Sequence, residues 1–126
     1  MKKGIILLLL SLFFLSCHRE ERKVRDTAHA YLSALANYKV ENAELYATNE
    51  TLETTLALSK QLLAMVDTSY IISDTPAEID IQELVIHDDT LAKVKYVKNT
   101  PLKHNMQGEL QLVKRGGQWQ AHDILK

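Results

Sequence analysis

The chain has 126 residues, 46% of them apolar and 25% charged, with 15 Lys+Arg against 16 Asp+Glu. That length fits one small domain, and the apolar share and near-neutral charge exclude both a disordered chain and a nucleic-acid binder working by bulk positive charge. A single cysteine, Cys17, excludes a disulfide framework and a cysteine-rich zinc site.

Lys2 and Lys3 precede a near-continuous apolar run from Ile5 to Leu15, broken only by Ser11. A basic start, an apolar run of this length and a small residue before a break predict a secretory signal peptide over residues 1–16. The run is shorter than the roughly 20 apolar residues a spanning helix needs. The break itself, Phe14-Leu15-Ser16-Cys17, resembles the lipobox of bacterial lipoproteins, with Phe where Leu is commonest, as in the looser versions familiar from Bacteroidetes. The resemblance implies cleavage between Ser16 and Cys17 and lipidation of the Cys17 thiol with palmitate-like acyl chains. Each buried acyl CH₂ is worth about 0.8 kcal/mol, so several chains on one residue anchor firmly. The plainer alternative is an ordinary signal with a chance cysteine, or a buried free thiol. Arg19-Glu20-Glu21 resembles the basic-then-acidic export tag of surface-exposed Bacteroidetes lipoproteins; equally, it reads as the solvated first turn of a helix. No Asp follows Cys17, so the resemblance implies the outer membrane, on its periplasmic or surface face. Residues 17–23 are then a short lipid-anchored tether and 24–126 the folded domain.

Without residues 1–16, which hold two lysines and no acid, 110 residues remain with a formal charge of −3. Both phenylalanines, Phe13 and Phe14, leave with the signal. The remaining rings are Tyr31, Tyr38, Tyr46, Tyr70, Tyr96 and Trp119. A core built on them needs a partner or a wet rim for every O–H and N–H.

From Glu20 to Tyr38, the positions Val24, Ala28, Tyr31, Leu32 and Leu35 mark one helical face. Lys39-Val40-Glu41 reads as a break and Asn42 to Ala47 as a brief second helix. Asn49 is positioned to cap a third, with Glu50 and Glu53 in its first turn and a stripe of Leu52, Leu56, Leu63 and Val66, reinforced by Leu62 and Met65, ending near Asp67-Thr68. Tyr70-Ile71-Ile72 is β-rich and short. Ile79 and Ile81 alternate as a half-buried strand, and the parity then slips to Leu84 and Ile86, which predicts a bulge near Gln82-Glu83 or a bend between two sheet segments. A three-residue loop, Asp88 to Thr90, sets Ile86 opposite Ala92 and Leu84 opposite Val94 and keeps apolar residues on one face. Met106 resumes a strand with Gly108, Leu110 and Leu112. Gly116-Gly117 forms a tight hairpin with Lys114 opposite Trp119 and Leu112 opposite Ala121.

Helices first, then a four-stranded antiparallel meander, is an α+β order. With Ala28-His29-Ala30-Tyr31-Leu32-Ser33-Ala34-Leu35, Glu41 to Tyr46, Asp89 to Tyr96 and Leu110 to Trp119, it resembles the nuclear-transport-factor-two-like (NTF2-like), or cystatin-like, superfamily. The resemblance implies a cone, or α+β roll: a curved sheet wrapping the long first helix and often leaving a pocket. It carries no catalytic motif.

His87-Asp88-Asp89 and His122-Asp123 are the only His/Asp clusters, and neither has converging ligand spacing, so no metal and no cofactor is expected. Tyr31, Tyr46, Tyr96 and Trp119 fall on predicted inner faces and are candidate pocket-lining residues, against plain core packing. Lys93, Lys95 and Lys98 read as a solvated strand face, with anionic lipid or glycan contact as the sharper alternative. The expected partners are a membrane through Cys17 and a small hydrophobic molecule or an envelope protein, with no nucleic acid. The expected role is a non-catalytic binding or interaction module; the alternative is a small isomerase- or cyclase-like enzyme using His122, Asp123 or Tyr31.

Overall fold

The computed structural model describes the backbone of residues 2–124 and the side chains from His18 onward. The expectations of a cleaved signal and of lipid on Cys17 rest on side chains outside that range. Among the described residues, no helix is long and apolar enough to cross a membrane.

Helix α1 runs from Lys2 to Ala36, so residues 17–23, expected to be a tether, are helical. Val24, Ala28, Tyr31 and Leu32 of α1 are buried, as the four-three-one spacing requires. Helix α2 spans Val40–Glu44, two residues earlier than its pattern suggested, because Val40 and Ala43 both bury against α1.

The expected third helix is three pieces: α3 (Asn49–Thr51), a π-helical turn over Leu52–Leu56, and α4 (Ala57–Leu63). Its cap is Thr48 rather than Asn49, with Thr51 N–H donating to Thr48 Oγ1 at 3.3 Å. Leu56 is buried and Leu52 and Leu63 partly so, whereas Leu62 (54% exposed) and Met65 (81%) face solvent. The β-rich triplet Tyr70-Ile71-Ile72 lies in helix α5 (Thr68–Ser73); with no neighbouring strand to pair with, β propensity alone does not make a strand there.

The sheet is β1 (Glu78–His87), β2 (Leu91–Asn99), β3 (Met106–Arg115) and β4 (Gln118–Ala121), antiparallel in the order β1-β2-β3-β4. Register slips between Ile81 and Glu83, which is the bulge the parity change required, and Leu84↔Val94 and Ile86↔Ala92 pair on one face. Gly116 (φ 58°) and Gly117 (φ 77°) take the left-handed conformations of the tight hairpin, with Lys114↔Trp119 and Leu112↔Ala121 opposite. The core lies between α1 and the sheet's inner face: Val24, Ala28, Tyr31 and Leu56 against Ile79, Ala92, Val94, Leu110, Leu112 and Ala121.

A polar staple closes the far end of α1. Tyr38, at φ 63° just past the helix, donates its hydroxyl to Asp74 Oδ2 at 2.6 Å, and Thr100 Oγ1 donates to Asp74 Oδ1 at 2.6 Å. Asp74 and Thr100 are both buried. Asn37 adds a second tie, donating to the Ala77 carbonyl and accepting from the Ala77 N–H. One carboxylate thus joins α1, α5 and the β2–β3 connection. Its pKa is held below the ordinary value, first by the Thr100 hydroxyl and then by Tyr38. Tyr38→Phe and Thr100→Val each strip one donor from this buried acid and should cost about 1–3 kcal/mol in urea unfolding. The double variant should deviate from additivity because both donors share one acceptor.

Candidate functional site

Two carboxylates organise the rest of the inner surface. At the hairpin end of the sheet, Trp119 Nε1 donates to Glu20 Oε2 at 2.8 Å, and Lys114 Nζ reaches the same oxygen at 2.9 Å. Lys23 lies 3.6 Å from Oε1, and the Lys114 ammonium stands 5.9 Å from the centroid of the Trp119 ring. Lys114 and Trp119 are cross-strand partners on the inner face, so a single α1 side chain pins the β3–β4 hairpin. The Trp119 hydrogen bond, then that of Lys114, holds the Glu20 pKa below the usual carboxylate range.

The second carboxylate is Asp123. β4 ends at Ala121, and the chain then crosses the π-turn under three threonines that share one helix face, Thr48, Thr51 and Thr55. Thr51 Oγ1 donates to the Ala121 carbonyl (3.2 Å) and accepts from the Asp123 N–H (2.9 Å), while Thr55 Oγ1 donates to the Asp123 carbonyl. Thr48 Oγ1 lies 2.9 Å from Thr51 Oγ1 and 3.1 Å from His122 Nδ1. Thr51 has already given its proton to Ala121, so Thr48 donates to Thr51, and the assignment that fills every contact places a proton on His122 Nδ1. Ala121 also pairs with the 46–48 segment, through its N–H to the Tyr46 carbonyl (2.7 Å) and its carbonyl from the Thr48 N–H (3.0 Å).

Held in this way, Asp123 points its carboxylate at α1. The fully buried Tyr31 donates its hydroxyl to Asp123 Oδ2 at 2.9 Å. Burial first, and the facing Asp123 charge second, push the Tyr31 phenol far above its ordinary pKa; the same two causes, in the same order, raise that of Tyr96. The Tyr96 ring lies over Gly108, where a Cβ would stand 2.4 Å from Tyr96 Cζ, so only glycine leaves the ring this position. Among the described residues, Asp123 Oδ1 and the Tyr96 hydroxyl have no protein partner and both reach solvent, because no buried side-chain polar atom is left unpaired. The cluster therefore offers a carboxylate oxygen and a phenol to a third group, or a carboxylate placed to take a proton.

Of the four candidate pocket residues, Tyr31 bonds this carboxylate and Tyr96 lies within reach of its charge. Trp119 is buried at the Glu20 clamp instead. Tyr46, 37% exposed, rims a shallow surface depression beside His29 and Leu45 rather than the interior, because its segment bends out to bridge β4. His122 and Asp123 diverge, one to Thr48 and the other to Tyr31, and do not share a site. Among the described residues, no group of three metal-ligating side chains converges. Sequence reasoning missed the threonine clasp and Asp74. The Thr48, Thr51, Thr55 spacing of three and four was the available signal for the first; nothing local marked the second.

No protein-family model and no curated protein matches the chain. Among solved structures, it is similar to one described as a "putative NTF2-like transpeptidase" from Campylobacter jejuni, with a TM-score of 0.60 and 18% identity over 81% of this chain and 97% of that one. The likeness shows the fold: helices packed on a four-stranded antiparallel sheet, an α+β domain of the NTF2-like kind. The match also corrects the expectation of a non-catalytic module, because the same architecture is carried by a chain described as an enzyme. The lack of a sequence motif does not make this chain a non-enzyme.

The Glu20 clamp has a definite pH signature. Its folded pKa lies below the ordinary 4.5, so the clamp stabilises fully above that value and the contribution is lost as pH falls through the folded pKa. Glu20→Gln should lower stability by about 1 kcal/mol at pH 7 and flatten the fall in the urea midpoint between pH 5 and pH 3.

Proposed function

We propose that the chain is a lipid-anchored protein of the cell envelope, at the outer membrane, whose NTF2-like domain stands directly on its anchor and takes a small amphipathic ligand at the Tyr31–Asp123–Tyr96 cluster. The observation that carries the reading is the position of Glu20. It is three residues past Cys17, on a continuous helix, and is already bonded to Trp119 and Lys114. At about 1.5 Å per residue the folded body begins within one helical turn of the thiol. A lipid on Cys17 then sets the domain at the bilayer surface, hairpin end first, and a ligand drawn from the membrane or its edge has a short path to the domain.

The anchor is tested by metabolic labelling with a fatty-acid analogue in the host. The wild-type protein should carry the label and partition with envelope membranes, and Cys17→Ser should lose both; equal label in the two forms overturns the anchor. The ligand is tested by native mass spectrometry of protein extracted from the envelope. A retained small molecule should be lost in Asp123→Ala and weakened in Gly108→Ala, which displaces Tyr96 and leaves Asp123 untouched.

One observation favours a second reading of the same cluster. Asp123 sits on the inner side of the sheet with one oxygen bonded by Tyr31 and the other open, the disposition of a general base held by a positioning phenol. In that case Asp123→Asn keeps the ligand bound and stops its conversion, whereas a pure binding site loses affinity in the same variant.

A further inference from the structure

The two edges of the sheet are treated differently. β4 is four residues long and is closed by the parallel bridge Ala47↔Ala121. β1 is ten residues long, pairs only with β2, and apart from the turn bond from Thr90 to His87 makes no backbone hydrogen bond to a described residue outside that ladder. A row of donors and acceptors is therefore left on its free side.

The outer face of the sheet carries its charges in columns. Glu78, Asp80 and Glu83 stand on β1, Lys93 and Lys95 on β2, and Glu109 on β3; register sets Glu83 opposite Lys95 and Lys95 opposite Glu109. Lys95 Nζ lies 3.6 Å from Glu83 Oε2. The row Glu83–Lys95–Glu109 runs acidic, basic, acidic across the sheet, while Glu78 and Asp80, opposite Asn99 and Val97, are acids at the open edge with no lysine across from them. A second copy laid edge to edge would set that acidic column against itself, which cross-strand electrostatics disfavour. A strand carrying Lys or Arg on its outward positions continues the alternation. Its inward positions meet the trough between β1 and α1, about 390 Å³, whose apolar floor is Ile79, Ile81 and Ala30 and whose rim carries Arg25, Asp26 and His29. Only the floor of that trough is apolar, so it admits a small apolar side chain and no long one. The bulge after Ile81 kinks the edge, so the straight stretch beside the trough is Glu78 to Ile81.

We propose that the β1 edge binds an extended segment of a partner protein by strand addition, the segment alternating Lys or Arg with small apolar residues. Main-chain bonds supply affinity, and the acidic column and the trough select side chains. The inference stands on the sheet alone and does not depend on the anchor or the ligand cluster.

The test is a titration of the full chain, in zwitterionic detergent micelles, with a capped hexapeptide alternating Lys and Val and with its Glu-for-Lys counterpart, read by affinity and by amide hydrogen exchange. The Lys peptide should bind about tenfold tighter than the Glu peptide, from the cross-strand charge pairs at Glu78 and Asp80. It should also protect alternate amides within Glu78 to Ile81. The double variant Glu78→Lys, Asp80→Lys alters exposed side chains only and should invert the preference. Equal affinity for the two peptides overturns the proposal. So does binding without protection on β1, which is charge attraction alone, or protection of β1 by self-association without peptide, which makes a second copy the occupant.

Discussion

The joints between the layers of this domain answer one requirement: past Phe14 the chain has no phenylalanine, so a ring buried at a joint brings a proton that must be given away. The structure meets that requirement three times with a carboxylate from a distant element. Trp119 gives its indole N–H to Glu20, Tyr31 its hydroxyl to Asp123, and Tyr38 its hydroxyl to Asp74. Each pair crosses a junction between layers: α1 to the β3–β4 hairpin, α1 to the C-terminal segment, and the end of α1 to the α5–β1 connection. All three rings contact α1 or belong to it, so the long helix is fixed along its length by acids rather than by apolar packing alone. A hydrogen bond to an ionised acceptor in a half-buried setting is stronger than a neutral one, and it specifies distance and direction, which methyl contacts do not.

The sheet's contribution is geometric. The Ile81/Glu83 slip returns Leu84 and Ile86 to the inner face and bends β1, the curvature an NTF2-like domain needs to wrap a helix. Because β4 stops at Ala121, the last described residues leave the sheet and are caught by Thr51 of α3 and Thr55 of the π-turn. π-Turns recur where a helix must present a particular residue; here the turn contains Thr55, which holds the Asp123 carbonyl while the Asp123 side chain turns to Tyr31. The same carboxylate is thus both a structural tie and the centre of the candidate site, and its open oxygen distinguishes it from Asp74, whose two oxygens each accept a hydroxyl.

What the sequence determined by itself was whatever has a short period. Alternation and Gly116-Gly117 specify the strands, both hairpin registers and the bulge, because a one-residue slip would turn every apolar side chain outward. The 3.6-residue spacing from Val24 to Leu35 specifies the buried face of α1, and the absence of Phe states in advance that polar ring tips will need partners. Tertiary structure alone decided which partners those are. Asp74, Asp123 and Glu20 lie 36, 92 and 99 residues from Tyr38, Tyr31 and Trp119, and no local pattern encodes a pairing across such separations. Tyr70-Ile71-Ile72 shows the same limit from the other side. Its β propensity had no strand to meet, so it became a helix, because a strand needs a neighbour for its backbone hydrogen bonds and a helical turn closes them within the segment.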